Sequence, residues 1–306
     1  MKSIIIMSLT IFPLLASAAF FQSRLNAIYN IDNRELISQD SDTQVKTLSR
    51  SVALIFNKDD LITEYGQQLI FANRLDEIPP VGQNVCSDEL FATHHAYRNG
   101  CTGFLVGDDL LATAGHCFRD FYSCYNQVIA FDVDTDSEIP RGFKAQNQNV
   151  YTCKEVLSPI YDNKTKQDYA VIRLDRKTNR TPLKIRSRGK ISSKDNLFMI
   201  GHPLGLPLTY SPNGKISENN DELFFKTKIN SFHGNSGSPV FNAKTFEVEG
   251  ILVRGEVDLK TDDKNHCQRY VKYSSSNKED NLKGEGVTRI RSIIPFLYST
   301  KFDFFK

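Results

Sequence analysis

Leu111-Ala112-Thr113-Ala114-Gly115-His116-Cys117 is a short run of strand-forming and small residues that ends on a glycine and an imidazole. Upstream of it, Gly107-Asp108-Asp109 has the composition of a hairpin turn, so Thr102–Val106 and Leu110–Ala114 read as two antiparallel strands. Two other stretches share its character. Asp168-Tyr169-Ala170-Val171-Ile172-Arg173-Leu174 places an acid at the head of a strand. Gly234-Asn235-Ser236-Gly237-Ser238-Pro239-Val240 places a serine between glycines before another strand.

Outward from these, the chain continues as short β-rich runs separated by turn residues. Val52–Phe56, Val128–Val133, Asn149–Val156, Leu197–Ile200, Leu223–Ile229, Pro239–Phe241 and Val248–Val253 have this form. The spacing predicts an all-β sandwich or barrel. Ile290, Ile293, Ile294 and Leu297 recur at i, i+3, i+4, i+7, which predicts a C-terminal helix shortened or kinked by Pro295. Polar stretches at 57–67, 134–149, 176–196 and 258–285 read as surface loops, the third as a linker between two β-halves. The expected organisation is therefore an arm or short pro-segment over 19–50, a first unit over 51–175 and a second over 176–306.

Composition excludes several classes. Of 306 residues, 40% are hydrophobic and 24% charged, which is globular rather than disordered. The net charge of +2 is too near zero for a dedicated nucleic-acid or anionic-membrane binder. Trp is absent, but 21 Phe and 12 Tyr supply aromatic mass for a core. Lys2, the apolar run Ile4 to Leu15 and Ala16-Ser17-Ala18 read as a signal peptide cut after Ala18. That run is short of the roughly 20 residues a bilayer core requires. The expected product is secreted or periplasmic, free of an integral membrane segment, monomeric and able to form disulfides.

The three stretches together hold the parts of an acyl-transfer site. A serine hydroxyl is a poor nucleophile until an imidazole takes its proton. The imidazole needs a carboxylate to hold its tautomer and balance the cation that forms. The developing oxyanion needs backbone N–H donors, which a glycine before the serine helps to turn inward. Asp162 and Asp175 are rivals to Asp168 for the acid.

These stretches resemble the three signatures of chymotrypsin-like serine endopeptidases, in the order His, Asp, Ser that distinguishes the family from subtilisins and α/β-hydrolases. The Asn before the nucleophile and the Gly-Ser-Pro-Val-Phe-Asn continuation resemble the bacterial glutamyl-endopeptidase branch. The resemblance covers roughly residues 85 to 255. It implies two six-stranded antiparallel β-barrels with a C-terminal helix, and polypeptide substrates cleaved without a cofactor or metal. It further implies His116 as general base, Asp168 as its orienting acid, Ser236 as nucleophile, and the N–H groups of Gly234 and Ser236 as oxyanion hole. Asn230 and Ser231 fall at the floor of the family's specificity pocket, His233 at its rim, and Val253, Arg254 and Gly255 on its substrate-pairing wall. A non-catalytic peptide-binding relative and an esterase using the same three groups are the competing readings.

Departures from the family pattern carry information. Pancreatic relatives have an Asp before the nucleophile that pairs with a newly cleaved N-terminal amine; Asn235 carries no charge, so that ion pair cannot form. No Asp stands at the pocket floor to hold a basic side chain. Leu252 occupies the position where glutamate-cutting relatives place a His, and Arg254 near the pocket mouth is a candidate partner for an acidic side chain. The family joins the positions of Cys101 and Cys117. Cys124 and Cys153 flank consecutive strands and can pair, which leaves Cys86 with Cys267; other pairings of these four stay open in the sequence. Asp132-Val133-Asp134-Thr135-Asp136 begins like a calcium loop, but Ser137 and Phe143 stand where an EF-hand needs Gly and Glu, so a solvated acidic turn is expected.

Overall fold

A computed structural model describes residues 28–64, 66–78, 83–119, 121–273 and 284–299. The expected signal peptide, its cleavage site and residues 19–27 of the arm lie outside them.

Six strands close the first barrel: β1 (Val52–Asn57), β2 (Cys101–Leu105), β3 (Leu110–Thr113), β4 (Gln127–Phe131), β5 (Val150–Asp162) and β6 (Gln167–Leu174). Round the barrel the order is β1-β4-β5-β6-β3-β2, with every pairing antiparallel. The second barrel uses β7 (Asn196–Gly201), β8 (Thr209–Glu218), β9 (Phe224–Lys228), β10 (Pro239–Asn242), β11 (Val248–Arg254) and β12 (Glu285–Arg289). Its order is β7-β10-β11-β12-β9-β8, closed by β8 on β7. The two rings have the same topology, strand for strand. This is the chymotrypsin-like architecture of two closed antiparallel barrels.

Each ring closes on itself and buries side chains inside it. Leu54, Phe56, Val128 and Ala130 of the first barrel pack with Ile70 and Phe143 in one cluster; Leu197, Met199, Phe225, Val240 and Val287, all from strands of the second barrel, form another. A third cluster runs between the barrels, joining Phe104, Leu111 and Ile172 to Phe198, Phe241 and Ile251. The groove over that seam is where residues from both barrels can meet.

Two barrel strands were not legible as strands. β8 contains Pro212, Asn213 and Gly214, residues common in turns, yet the pairing with β7 shifts register there and Asn213 takes a positive φ of 62°. The bulge absorbs the turn residues without ending the strand. β12 directly follows the polar stretch 258–285 and runs into the helical pattern, so neither neighbour marks it. The supposed loops also hold structure. Leu61–Glu64, Gln67–Phe71, Gly142–Ala145 and Glu138–Ile139 build a separate four-stranded sheet. Leu259–Asp262 pairs with Cys267–Tyr270 as a hairpin.

The arm carries a helix, α1 (Thr43–Ser49), capped by Asp42, and its strand Glu35–Leu36 adds to β8 of the second barrel. A second short helix, α2 (Phe121–Asn126), carries Cys124. At the C-terminus a 3-10 turn over Ile290–Ile293 leads into α3 (Ile294–Ser299). Pro295 lies in the first turn of α3, where a missing N–H costs nothing. The three disulfides are Cys101–Cys117, Cys124–Cys153 and Cys86–Cys267. The last joins chain segments 181 residues apart, one inserted after β1 and one after β11. Among the described residues no helix is long and apolar enough to cross a membrane.

Candidate active site

β3 ends at Thr113, and a 3-10 turn over Gly115–Cys117 presents His116. The turn lies directly on the β5–β6 pair. A Cβ on Gly115 would sit 1.9 Å from the Ile160 carbonyl oxygen and 2.9 Å from that of Tyr169, so only glycine allows the approach. The Cys101–Cys117 bridge anchors the far side of the same turn.

Asp168 lies in β6 and is 1% exposed. Its Oδ1 accepts the backbone N–H of His116 at 3.0 Å, and its Oδ2 lies 2.9 Å from His116 Nδ1. An ionised carboxylate only accepts, so the ring proton sits on Nδ1 and Nε2 is left as the basic nitrogen. The Asp168 backbone is tied across the seam: Thr288 Oγ1 of β12 accepts its N–H at 3.3 Å and donates to its carbonyl at 3.1 Å. The rivals serve turns instead. Asp162 accepts from the Lys164 and Thr165 amides, and Asp175 from the Thr152 amide.

Ser236 comes from the segment just before β10. Gly234 and Gly237 on either side adopt positive φ values of 93° and 91°. A Cβ on Gly237 would lie 1.9 Å from the Thr102 carbonyl oxygen and 3.0 Å from the Ala114 nitrogen. The serine segment is thus pressed onto the strands that carry His116. The Ser236 carbonyl accepts the Thr102 N–H at 2.8 Å, the Gly234 carbonyl accepts Thr102 Oγ1–H at 2.9 Å, and the His233 carbonyl accepts the Leu204 N–H. With these carbonyls turned into the protein, the N–H groups of Gly234 and Ser236 donate to no described group. Ser236 Oγ likewise makes no hydrogen bond among the described residues. His116 and Asp168 are therefore joined directly, while Ser236 reaches their neighbourhood through the packing of Gly237 on Ala114.

The residues expected at the specificity pocket are placed as follows. Asn230 is buried and fully engaged with the arm: its Oδ1 accepts the Tyr29 N–H at 2.8 Å, and its Nδ2 donates to the Ile31 carbonyl and to Asn33 Oδ1. Ser231 is buried, with its Oγ 3.2 Å from Asn235 Nδ2. His233 is exposed; its N–H donates to Asp258 Oδ2 and its Nε2 meets the Arg98 carbonyl. Val253 is buried in β11. Arg254 turns toward the first barrel, donating to the Lys166 carbonyl at 2.8 Å with a second nitrogen 3.9 Å from Asp168 Oδ2. Gly255 backs onto Glu285, whose Oε2 would lie 2.6 Å from a Cβ there.

Two acids here had no signal in the sequence. Burial pushes the Glu285 carboxyl up to about 8, helped by the nearby charge of Asp258, although the Tyr29 hydroxyl donates to it at 3.1 Å. Burial likewise pushes Asp258 up to about 6 against its bond from His233. Both sit in or beside the stretch that reads as a surface loop, and the hydroxyl bonded to Glu285 comes from the arm, 256 residues earlier.

A family model described as a trypsin-like peptidase domain matches residues 101–251. No curated protein sequence matches the chain. Among solved structures, a Glu endopeptidase superposes with a TM-score of 0.52 at 16% identity, covering 90% of this chain and 99% of that one. The VesB protease of Vibrio cholerae superposes with a TM-score of 0.51 at 12% identity, covering 88% and 67%. At these identities the likeness is one of fold.

Proposed function

We propose that the chain, whose residues 101–251 match a trypsin-like peptidase domain and whose fold is chymotrypsin-like, is an exported serine endopeptidase working through Ser236, His116 and Asp168. The observation that carries this reading is the pair of hydrogen bonds between Asp168 and His116, at 3.0 Å from the main-chain N–H and 2.9 Å from Nδ1. A carboxylate buried to 1% exposure and aligned on one imidazole is costly unless its charge is used.

In the proposed reaction His116 Nε2 takes the proton of Ser236 Oγ as the oxygen attacks the scissile carbonyl carbon. Asp168 keeps the proton on Nδ1 and balances the imidazolium without itself being protonated. The negative charge moves to the carbonyl oxygen, which the free N–H groups of Gly234 and Ser236 receive; one such donor is worth about 10²-fold or more in rate. His116 returns the proton to the leaving amine, and water attacks the acyl-enzyme by the same route in reverse. Only protein groups are invoked.

The polypeptide substrate class is supported by an open strand edge. β11 pairs with β10 only as far as Ile251, while Leu252 and Arg254 pair with β12 on the other side. Val253 to Gly255 thus offer main-chain groups to an extended peptide, an addition that supplies affinity independent of sequence. Export to an oxidising compartment fits the three disulfides.

Treatment with an organofluorophosphate followed by intact-mass measurement tests the reading. One adduct on Ser236, lost in His116→Ala, is expected. A folded protein that takes no adduct would point to a peptide-binding relative, and ester turnover without peptide cleavage would point to an esterase.

A further inference from the structure

Asp168 Oδ2, the oxygen that faces His116 Nδ1, has a second charged neighbour from the other barrel. Arg254 stands at the end of β11 and reaches over the seam. One guanidinium nitrogen donates to the Lys166 carbonyl at 2.8 Å, two residues before Asp168. The other, NH2, lies 3.9 Å from Asp168 Oδ2 and is buried with no hydrogen-bond partner. The side chain is 32% exposed, so its charge is screened on one side only. A buried guanidinium N–H without an acceptor, aimed at a carboxylate, is a group held in place for its charge.

We propose that Arg254 is a positioning residue for the His116–Asp168 pair: it clamps the β5–β6 hairpin to the substrate strand and moderates the proton affinity of His116 through Asp168. This rests on the acyl-transfer reading of Ser236. The sign follows from electrostatics. A cation beside the carboxylate takes up part of its field, and it also repels the imidazolium that the carboxylate would support. Both effects oppose a positive charge on the ring, so removing the cation in a variant is expected to favour that charge. The other groups facing His116 are few. The Tyr161 ring of β5 stands edge-on at 6.3 Å, and the Arg119 guanidinium lies over that ring, 4.7 Å from its centroid. Thr288, packed on Asp168 from β12, is uncharged. Arg254 is thus the charged group placed to act on the carboxylate itself.

The same placement gives the clamp a link to substrate. A peptide pairing with Val253–Gly255 would lie along the strand whose last residue holds Asp168. Occupancy of the cleft and alignment of the base would then be coupled through one side chain.

The experiment compares wild type, Arg254→Gln and Arg254→Lys. The His116 ring is titrated by NMR on 15N-histidine-labelled protein, assigned against His116→Ala, and the rate of Ser236 phosphonylation is followed from pH 5 to 9. In R254Q the ring midpoint and the acidic limb of the rate are expected to move up together by at least about half a unit. R254K, which keeps the charge, is expected to stay close to wild type. An unmoved midpoint in folded R254Q overturns the proposal. A raised KM for peptides with an unmoved limb would do so too, and would make Arg254 a substrate contact. If wild type takes no phosphonyl group, the acyl-transfer reading fails, while the ring titration still decides whether Arg254 acts on His116.

Discussion

Asn235 Nδ2 donates to Ser231 Oγ at 3.2 Å, and the same carboxamide accepts from Ser238 Oγ at 3.3 Å. Asn235, the residue before Ser236, is fully buried and bonded on both sides to neutral hydroxyls. The loop that carries Ser236 is therefore closed by an uncharged network. Asn235→Asp would place a carboxylate where, among the described residues, only the hydroxyls of Ser231 and Ser238 are bonded to the side chain. Removing a compensating group from a buried charge, or adding an uncompensated one, costs about 3 kcal/mol or more. The expected outcome is a lower melting temperature that recovers partly at acid pH, where the new Asp is neutral. A variant as stable at pH 8 as wild type would mean that an unrecognised positive group reaches this loop.

The support that a charged pair would give arrives from the arm. Arg34 is buried, forked onto Asp32 at 2.8 Å through Nε and NH2, and stacked 4.2 Å from the centroid of Phe232 and 5.0 Å from that of Tyr270. Phe232 precedes Gly234 by two residues, and its carbonyl accepts the Asn235 N–H. Arg34→Met is expected to destabilise by about 3–5 kcal/mol, since it strands Asp32 with its side chain 9% exposed. The double change Asp32→Asn, Arg34→Met should recover much of that loss while the stacking on Phe232 stays lost. Denaturant titration of the single and double variants checks this; additive losses would show that the pair is not the source of the cost.

What the sequence made legible is what chemistry constrains locally. Gly115-His116, Asp168 and Gly234-Asn235-Ser236-Gly237 each combine a reactive group with the backbone freedom to present it, and both occupy a few adjacent positions. Ten barrel strands were readable for a similar reason, because alternation is a local pattern. Pro212-Asn213-Gly214 hid β8 because a bulge and a turn use the same residues. Tyr29, Arg34 and Glu285 were silent because their roles exist only through contacts such as Tyr29 to Glu285, 256 positions apart. Nothing near Glu285 in the chain indicates that its carboxyl is sealed behind Gly255.

The Cys101–Cys117 bridge closes a short loop around the strands that present His116. With a separation of 16 residues, its loss is expected to destabilise by about 3 kcal/mol in the loop-entropy picture. Because Gly115 leaves the turn no slack against Ile160, a paired Cys101→Ala, Cys117→Ala change should also lower the phosphonylation rate at 25 °C. Loss of stability with an unchanged rate would assign the bridge to folding alone.

Glu285 and Asp258 make the stability of the protein fall with rising pH. Glu285, 3% exposed, is raised from an ordinary value of 4.5 to about 8, and Asp258 from 3.8 to about 6, in each case mainly by burial. Between the unfolded and folded values the native state holds the protons and the unfolded state has lost them. Stability contributed by the protonated forms is therefore complete below about pH 4 and declines as pH rises, through 6 for Asp258 and through 8 for Glu285. At alkaline pH the two groups become neighbouring anions, one buried and one half-buried, and among the described residues the Tyr29 hydroxyl is the side-chain donor bonded to Glu285. Glu285→Gln keeps a neutral acceptor for Tyr29 and removes the second titration. Melting temperatures measured from pH 5 to 9 should fall by several degrees in wild type above pH 6, and much less in the Gln variant. A wild-type curve that stays flat from pH 6 to 9, or one that Glu285→Gln leaves unaltered, would mean that water or a cation already reaches the carboxyl behind Gly255.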